Sequence, residues 1–211
     1  MPTQITGLYA ITDQELAQRD GLNHQVEAAI QGGARIIQYR DKGNNQARRI
    51  SEATQLLTIC RTHGVLLIIN DDLELAYHIG ADGIHLGRDD TAVEQARQRL
   101  GPSTIIGVSC YNELQCAHDA QAAGADYAAF GRFFASTTKP NAIQADIGLL
   151  QQARKALQIP IVAIGGITPE NGSQLVQAGA DMLAVIQGIF AQPDIRLACH
   201  EFSKLFKDSK T

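Results

Sequence analysis

The tripeptide Gly-Ala-Asp occurs at Gly80-Ala81-Asp82, Gly124-Ala125-Asp126 and Gly179-Ala180-Asp181, with a relative at Gly33-Ala34-Arg35. Each copy follows a helix-like stretch containing Ala and Gln or Glu. Each precedes a short apolar run: Ile36-Ile37, Ile84-His85-Leu86, Tyr127 to Phe130, and Met182 to Ile186. A single unit explains all four. A helix ends at a glycine, which adopts the left-handed C-cap conformation cheaply, and a tight turn then feeds a buried strand. Further strands are expected at Leu8 to Thr12, Leu66 to Asn70, Thr104 to Ser109 and Ile161 to Ile167. Helical patterns fall between, at Ala47 to Thr62, Glu113 to Ala123, Leu149 to Leu157 and Glu170 to Gln177. The pattern amounts to eight strands alternating with eight helices. In 211 residues that leaves about 26 per unit, enough for compact βα repeats.

Near-continuous apolar strands predict a parallel sheet covered on both faces. No Ser/Pro/Gly-rich linker divides the chain, so residues 1–211 are expected to form one compact α/β domain. The best fit is a (βα)8 barrel, the TIM-barrel architecture, which begins at roughly 200 residues. A doubly wound open sheet is the rival. The eight-fold count and the lack of GxGxxG after the first strand disfavour it.

Composition narrows the partners. Hydrophobic residues make up 45% and charged residues 19%, ordinary for a soluble globular protein. A formal net charge of −4 argues against a nucleic-acid backbone or an anionic membrane as main partner. The longest aliphatic run, Val65 to Ile69, is too short to span a bilayer. Met1 to Thr12 carries no export-signal pattern. Cys60, Cys110, Cys116 and Cys199 form no CxxC pair and no zinc spacing, so reduced thiols in the cytoplasm are expected.

In a barrel, chemistry belongs at the C-terminal strand ends and in the loops that follow. Polar residues gather there. Strand alternation puts Ile36, Gln38, Arg40 and Lys42 on one face, the polar members toward the rim. Two cations and an amide at a barrel mouth suit an anionic ligand; equally, they can snorkel to water. The third strand ends in Asn70-Asp71-Asp72 and the fourth in His85-Leu86-Gly87-Arg88-Asp89-Asp90. Any single Asp there can be a helix cap. Carboxylates at two neighbouring strand ends, completed by diphosphate oxygens, are also the usual holder of Mg²⁺. Ser109 closes the fifth strand. The loop after the sixth carries Ser136, Thr137, Thr138 and Lys139, a hydroxyl-rich stretch with a cation that suits phosphate. Gly165-Gly166 after the seventh strand lets backbone N–H groups approach an anion. His85 is read as a satisfied core imidazole, and no HExxH, GxSxG or Cys-His nucleophile pattern is present.

Taken in order, these pieces resemble the thiamine phosphate synthase family. The likeness runs from Tyr9-Ala10-Ile11-Thr12-Asp13 to Val185-Ile186. Its specific parts are Gln38-Tyr39-Arg40-Asp41-Lys42, Asn70-Asp71, Ala81-Asp82-Gly83-Ile84-His85-Leu86-Gly87 with Asp90, Gly107-Val108-Ser109, Ser136-Thr137-Thr138-Lys139 and Ala163-Ile164-Gly165-Gly166-Ile167. The resemblance implies a (βα)8 barrel that joins a pyrimidine diphosphate to a thiazole phosphate. It implies that Gln38, Arg40, Lys42, Asn70, Ser109 and Lys139 bind the aminopyrimidine diphosphate, with Arg40, Lys42 and Lys139 catalytic. Asp71 and Asp90 would hold one Mg²⁺ per chain. Ser136, Thr137, Thr138 and Gly166 would bind the thiazole phosphate. Three positions depart from the family's usual pattern: Arg132 and Ala135, where Pro is common, and Gln187, where Ser is common.

The implied reaction displaces diphosphate from a methylene carbon by a ring nitrogen. An electron-rich pyrimidine stabilises a cation at that carbon, so a dissociative path is expected. Such a path needs charge stabilisation and placement rather than acid-base groups. The partners implied are phosphorylated small molecules, in a cytoplasmic protein compatible with a homodimer. Two other readings stay open: a thiazole tautomerase-like barrel, against which Lys42, Asp71, Asp90 and Lys139 speak, and a non-catalytic phosphate-ligand sensor, which has little use for two metal-binding acids.

Overall fold

The computed structural model describes residues 5–17, 19–135 and 143–207. Eight parallel strands close in chain order into a barrel, the last returning to pair with the first. They are β1 (Gly7–Ile11), β2 (Ala34–Tyr39), β3 (Leu66–Asn70), β4 (Gly83–Leu86), β5 (Ile105–Tyr111), β6 (Tyr127–Phe130), β7 (Ile161–Ile164) and β8 (Met182–Val185). The helices outside are α1 (Gln14–Ala17), α2 (Leu22–Gln31), α3 (Gln46–Thr62), α4 (Leu73–Ile79), α5 (Val93–Leu100), α6 (Leu114–Ala122), α7 (Ile147–Ala156), α8 (Pro169–Gln177), α9 (Gln187–Phe190) and α10 (Ile195–Lys204). The expected βα alternation is there. The single turns α1 and α9, each of four residues, are additions the repeat does not announce.

Alternation along each strand separates two apolar layers. One set of residues, including Ile36, Ile68, Tyr127, Val162, Met182 and Ala184, fills the barrel interior. The alternate set, including Leu8, Ile37, Leu67, Ile84, Ile106 and Leu183, packs outward beneath the helices. Strands buried on both sides read as continuous apolar runs, which is why they were legible.

Two strands stop three residues earlier than expected, and β1 and β8 stop one residue earlier. β2 ends at Tyr39, which leaves Arg40 and Lys42 in the loop at the mouth. β7 ends at Ile164 because Gly165 and Gly166 take φ of 102° and 63°, outside the strand region. In contrast, β5 runs on to Tyr111 through a register shift between Ser109 and Tyr111.

The Gly-Ala-Asp repeat has a structural job at the opposite end of the barrel. Asp82 accepts the Leu67 N–H at 2.9 Å, Asp126 the Ile106 N–H at 2.8 Å and Asp181 the Ile161 N–H at 2.8 Å. Each carboxylate also pairs with an arginine from the helix before the earlier strand: Arg61 with Asp82, Arg97 with Asp126, Arg154 with Asp181. The clamps tie β3 to β4, β5 to β6 and β7 to β8. Arg35 replaces the acid in the β1–β2 pair, and its side chain lies against Gly7.

The clamps predict a stability result. Asp181→Ala leaves the N–H of the fully buried Ile161 unpaired, at a cost of about 1–3 kcal/mol. Each kcal/mol lowers Tm by roughly 2–4 °C in a chain of this size. Asp181→Asn keeps an acceptor oxygen and loses only a partly exposed ion pair, so thermal melts should show a much smaller loss. Equal losses in the two variants would overturn the hydrogen-bond account.

Candidate active site

A cavity of about 790 Å³ opens at the C-terminal end of the barrel. Gln38, Arg40, Lys42, Asn70, Asp71, Asp90, Ser109 and Gly166 all line it. Residues from five separate segments are thus brought into one space. Ser136, Thr137, Thr138 and Lys139, which complete the expected set, lie outside the described residues. Arg132, Ala135 and Gln187, the positions that depart from the family pattern, also belong to the cavity wall.

Asp41 explains how the β2 loop aims its cations. Its carboxylate is buried against the outer wall and accepts the Gly43 N–H at 2.6 Å and Arg48 Nη2 at 2.5 Å. The Tyr39 hydroxyl lies 3.3 Å from Asp41 and 2.7 Å from Glu52. With Asp41 anchored outward, its neighbours Arg40 and Lys42 turn toward the mouth, where both line the cavity. The Arg40 N–H donates to Thr12 Oγ1 at 3.0 Å, which fixes that backbone against the end of β1.

The acidic strand ends resolve into different roles. Asp72 is the N-cap of α4: its side chain accepts the Leu75 N–H at 2.9 Å and pairs with Arg49 at 2.8 Å. Asp71 is the cavity acid. It sits at φ 62°, with its N–H donating to the His85 carbonyl. That conformation is uncommon for a residue with a side chain, and such strain is typical of functional sites. Burial holds the Asp71 carboxyl above the usual range, and the facing Asp90 carboxyl raises it further. Lys42, 3.8 Å away, and Asn70 pull in the other direction. Asp90 accepts the Gly87 N–H at 2.5 Å, which closes the turn after β4. Two carboxyl groups held face to face repel one another, and a cation between them relieves that. Among the described residues no group of three or more His, Cys, Asp or Glu side chains is gathered for a metal. Any ion on this pair would draw its remaining oxygens from ligand and water.

Gly165 and Gly166 work by close approach. A Cβ on Gly166 would collide with the Ala135 carbonyl, and one on Gly165 with Arg132. The Phe133 N–H donates to the Ile164 carbonyl and the Phe134 N–H to the Gly165 carbonyl. The segment from Phe133 to Ala135 is thereby laid over the glycine turn.

Sequence reasoning missed the cavity floor. Gln38 Nε2 donates to the Tyr9 hydroxyl at 2.8 Å, and Tyr9 is 2.9 Å from the Tyr127 hydroxyl. Tyr127 lies 3.0 Å from His85 Nδ1, and His85 Nε2 lies 2.8 Å from Ser109 Oγ. The imidazole is indeed satisfied, as expected, but it forms part of the cavity wall rather than a closed core. Burial keeps both tyrosine hydroxyls protonated, well above the usual phenol range. Arg88 also reaches the cavity; it pairs with Glu113 at 2.7 Å and stacks 4.8 Å above the Tyr111 ring. The available signal was alternation: Tyr9 and Tyr127 are polar-tipped residues at inward positions of otherwise apolar strands.

Comparison with known proteins agrees with this geometry. A family model described as thiamine monophosphate synthase matches residues 8–189. A thiamine-phosphate synthase of Nitrosococcus oceani is 53% identical over 98% of this chain and 95% of its own. One of Thiobacillus denitrificans is 50% identical over 95% of this chain and 94% of its own. Among solved structures, a thiamine phosphate pyrophosphorylase from Pyrococcus furiosus superposes with a TM-score of 0.87 at 32% identity, covering 96% of both chains. Sequence match, backbone match and a cavity lined by the described members of the expected residue set coincide over nearly the whole barrel, and the chain belongs to the thiamine monophosphate synthase family.

Proposed function

We propose that this chain couples 4-amino-2-methyl-5-(diphosphooxymethyl)pyrimidine with a thiazole phosphate, giving thiamine phosphate and diphosphate. It does so in the cytoplasm, with one Mg²⁺ per chain. The relatives named above carry this activity in their names, and that supports the reaction. The observation that carries it on this chain is the mouth itself: Arg40, Lys42, Asp71 and Asp90 line one cavity with Gln38 and Ser109, and Lys42 lies 3.8 Å from Asp71.

The thiazole nitrogen lone pair forms a bond to the methylene carbon. The C–O bond to diphosphate breaks, and its electrons leave on the diphosphate oxygen. No proton need move in that step, so the chemistry calls for no general base. Arg40 supplies a planar fork and Lys42 a point charge to the departing group. Asp71 and Asp90 are suited to hold Mg²⁺, which would supply two further positive charges to the diphosphate when bound. A diphosphate carries about three negative charges near neutral pH. With Arg40, Lys42 and Lys139 against Asp71 and Asp90, the assembled site comes close to neutral, as a water-poor cavity favours. Gln38, Asn70 and Ser109 orient the pyrimidine. Ser136, Thr137, Thr138 and the Gly166 backbone hold the thiazole phosphate, which places the nucleophile for attack.

The test is formation of thiamine phosphate from the two purified substrates, with and without Mg²⁺. Product is expected only with both substrates and the ion. The reading assigns Lys139 to the diphosphate, so Lys139→Ala should lower kcat more than it raises KM for the thiazole phosphate. It should also release hydrolysed pyrimidine alcohol, because water traps a cation that is poorly shielded. The ratio of alcohol to thiamine phosphate measures this. An unchanged ratio and unchanged kcat would remove Lys139 from the site.

A further inference from the structure

Five polar groups from five different strands form one unbroken series, in which Gln38, Tyr9, His85 and Ser109 line the cavity and Tyr127 is buried. Gln38 is on β2, Tyr9 on β1, Tyr127 on β6, His85 on β4 and Ser109 on β5. The spacing between successive partners is 2.8, 2.9, 3.0 and 2.8 Å. Gly107 makes the series possible, because any Cβ there would run into the Tyr127 ring. That ring in turn stacks on His85 at 5.6 Å with a 20° interplanar angle, while Tyr9 meets it edge-on at 6.1 Å.

The protons in such a series are not independent. The Gln38 amide nitrogen can only donate, so the Tyr9 oxygen accepts. Tyr9 has one proton to give, and the Tyr127 hydroxyl at 2.9 Å is a partner within reach of it. In that direction Tyr127 gives its own proton to a bare His85 Nδ1. The ring proton therefore sits on Nε2 and is donated to Ser109 Oγ. Ser109, having accepted, has its own hydroxyl proton left to offer. At the other end, one N–H of the Gln38 amide goes to Tyr9, which fixes the amide's orientation and leaves its carbonyl oxygen to accept from a partner in the cavity that Gln38 lines. Tyr9 and Tyr127 are fully buried and stay protonated, so neither can act as a second sink that breaks the direction.

We propose that Tyr9, Tyr127 and His85 are positioning residues in a one-way hydrogen-bond chain that makes Gln38 an acceptor and Ser109 a donor toward the substrate, selecting an aminopyrimidine over an oxopyrimidine. This rests on the functional reading above. An exocyclic amino group donates to the Gln38 oxygen, and the unprotonated ring nitrogen accepts from Ser109. A 4-oxo ring inverts both partners: its carbonyl faces an acceptor and its ring N–H faces a donor. Sites that pair buried polar groups with a substrate reject the mismatched analogue strongly, so discrimination of about 10²-fold or more is expected.

Two measurements test it. In the full chain labelled with ¹⁵N-histidine, His85 is assigned by the signal lost in His85→Asn. The expected state is the neutral ring with Nε2 protonated and Nδ1 bare. An Nδ1–H tautomer, or a doubly protonated ring, overturns the direction of the chain. The second measurement compares the aminopyrimidine diphosphate with its 4-oxo analogue as a competitive ligand. The wild type should favour the amino form. Tyr127→Phe keeps the ring beneath Gly107 but cuts the chain, so the preference should fall by about tenfold, and it should do so more through the affinity for the amino form than through kcat. Tyr9→Phe makes the same test from the next link, should Tyr127→Phe fail to fold. A preference unchanged in either folded variant, or a wild type that binds both rings equally, overturns the proposal. The spectrum and the competition need no thiazole substrate. Selective binding without thiamine phosphate formation would sink the functional reading and leave the chain standing; coupling without selectivity would do the reverse.

Discussion

Asp71→Asn is expected to cut turnover by about 10²-fold and to raise the Mg²⁺ concentration needed for half-maximal rate, the scale of losing a metal partner or a group that orients one. The change keeps the side chain's size and removes its charge. Asp71 is the acid that the structure separates from its neighbour: Asp72 is committed to capping α4 and to Arg49, whereas Asp71 faces Asp90 within the cavity. Asp90→Asn should behave alike, with an added cost where the Gly87 N–H loses a charged acceptor. Asp72→Asn is the control. It should lower stability by about 1 kcal/mol or less, as the amide still caps, and leave the Mg²⁺ dependence in place. The measurement is kcat at saturating substrates over a Mg²⁺ titration. Normal turnover of both Asp71→Asn and Asp90→Asn at limiting Mg²⁺ would remove the ion from this pair.

Arg40→Lys should lower kcat/KM by on the order of 10²-fold, even though the charge is kept. A lysine cannot present two parallel N–H donors to adjacent phosphate oxygens. The loop would not compensate. Asp41 stays anchored to Gly43 and Arg48, and the residue-40 N–H stays bound to Thr12, so the new ammonium starts from the same backbone position. Lys42→Arg makes a useful contrast. Lys42 is mostly exposed and acts near Asp71 at 3.8 Å as a point charge, so its replacement by Arg should cost less. Inhibition by diphosphate, measured alongside, should weaken in Arg40→Lys more than in Lys42→Arg. A crystal structure with diphosphate bound and Arg40 turned away from it would overturn the assignment.

Much of this was legible in the chain because the signals are local. A parallel strand buried on both faces must be apolar throughout, and a helix that ends at glycine marks its own boundary, so the eightfold βα pattern was plain. Strand-end position in a barrel then pointed to Gln38, Arg40, Lys42, Asn70, Asp71, Asp90, Ser109 and Gly166, all of which meet in one cavity. Family resemblance added the chemistry to those positions.

Other features depend on distance in space, and no local pattern encodes them. Tyr9 and Tyr127 are 118 residues apart, yet their hydroxyls touch. Only closure of the barrel brings β1 and β6 across from one another and makes two apparent core tyrosines into a polar floor. Asp71 and Asp72 are identical in type and adjacent in sequence. Their roles divide because backbone geometry sends one side chain to a helix N-terminus and the other, at positive φ, into the cavity. The Asp of the repeat looked like a strand-entry signature and proved to be a clamp, since its partners, an arginine from one helix and an N–H from the preceding strand, are neighbours only after folding. Sequence by itself determined which runs are buried strands, their order and which polar groups follow them, because burial and turn formation act over a few residues. Tertiary structure alone decided which of those groups face one another, because hydrogen bonds and repulsions between carboxylates act over a few ångströms, whatever their separation along the chain.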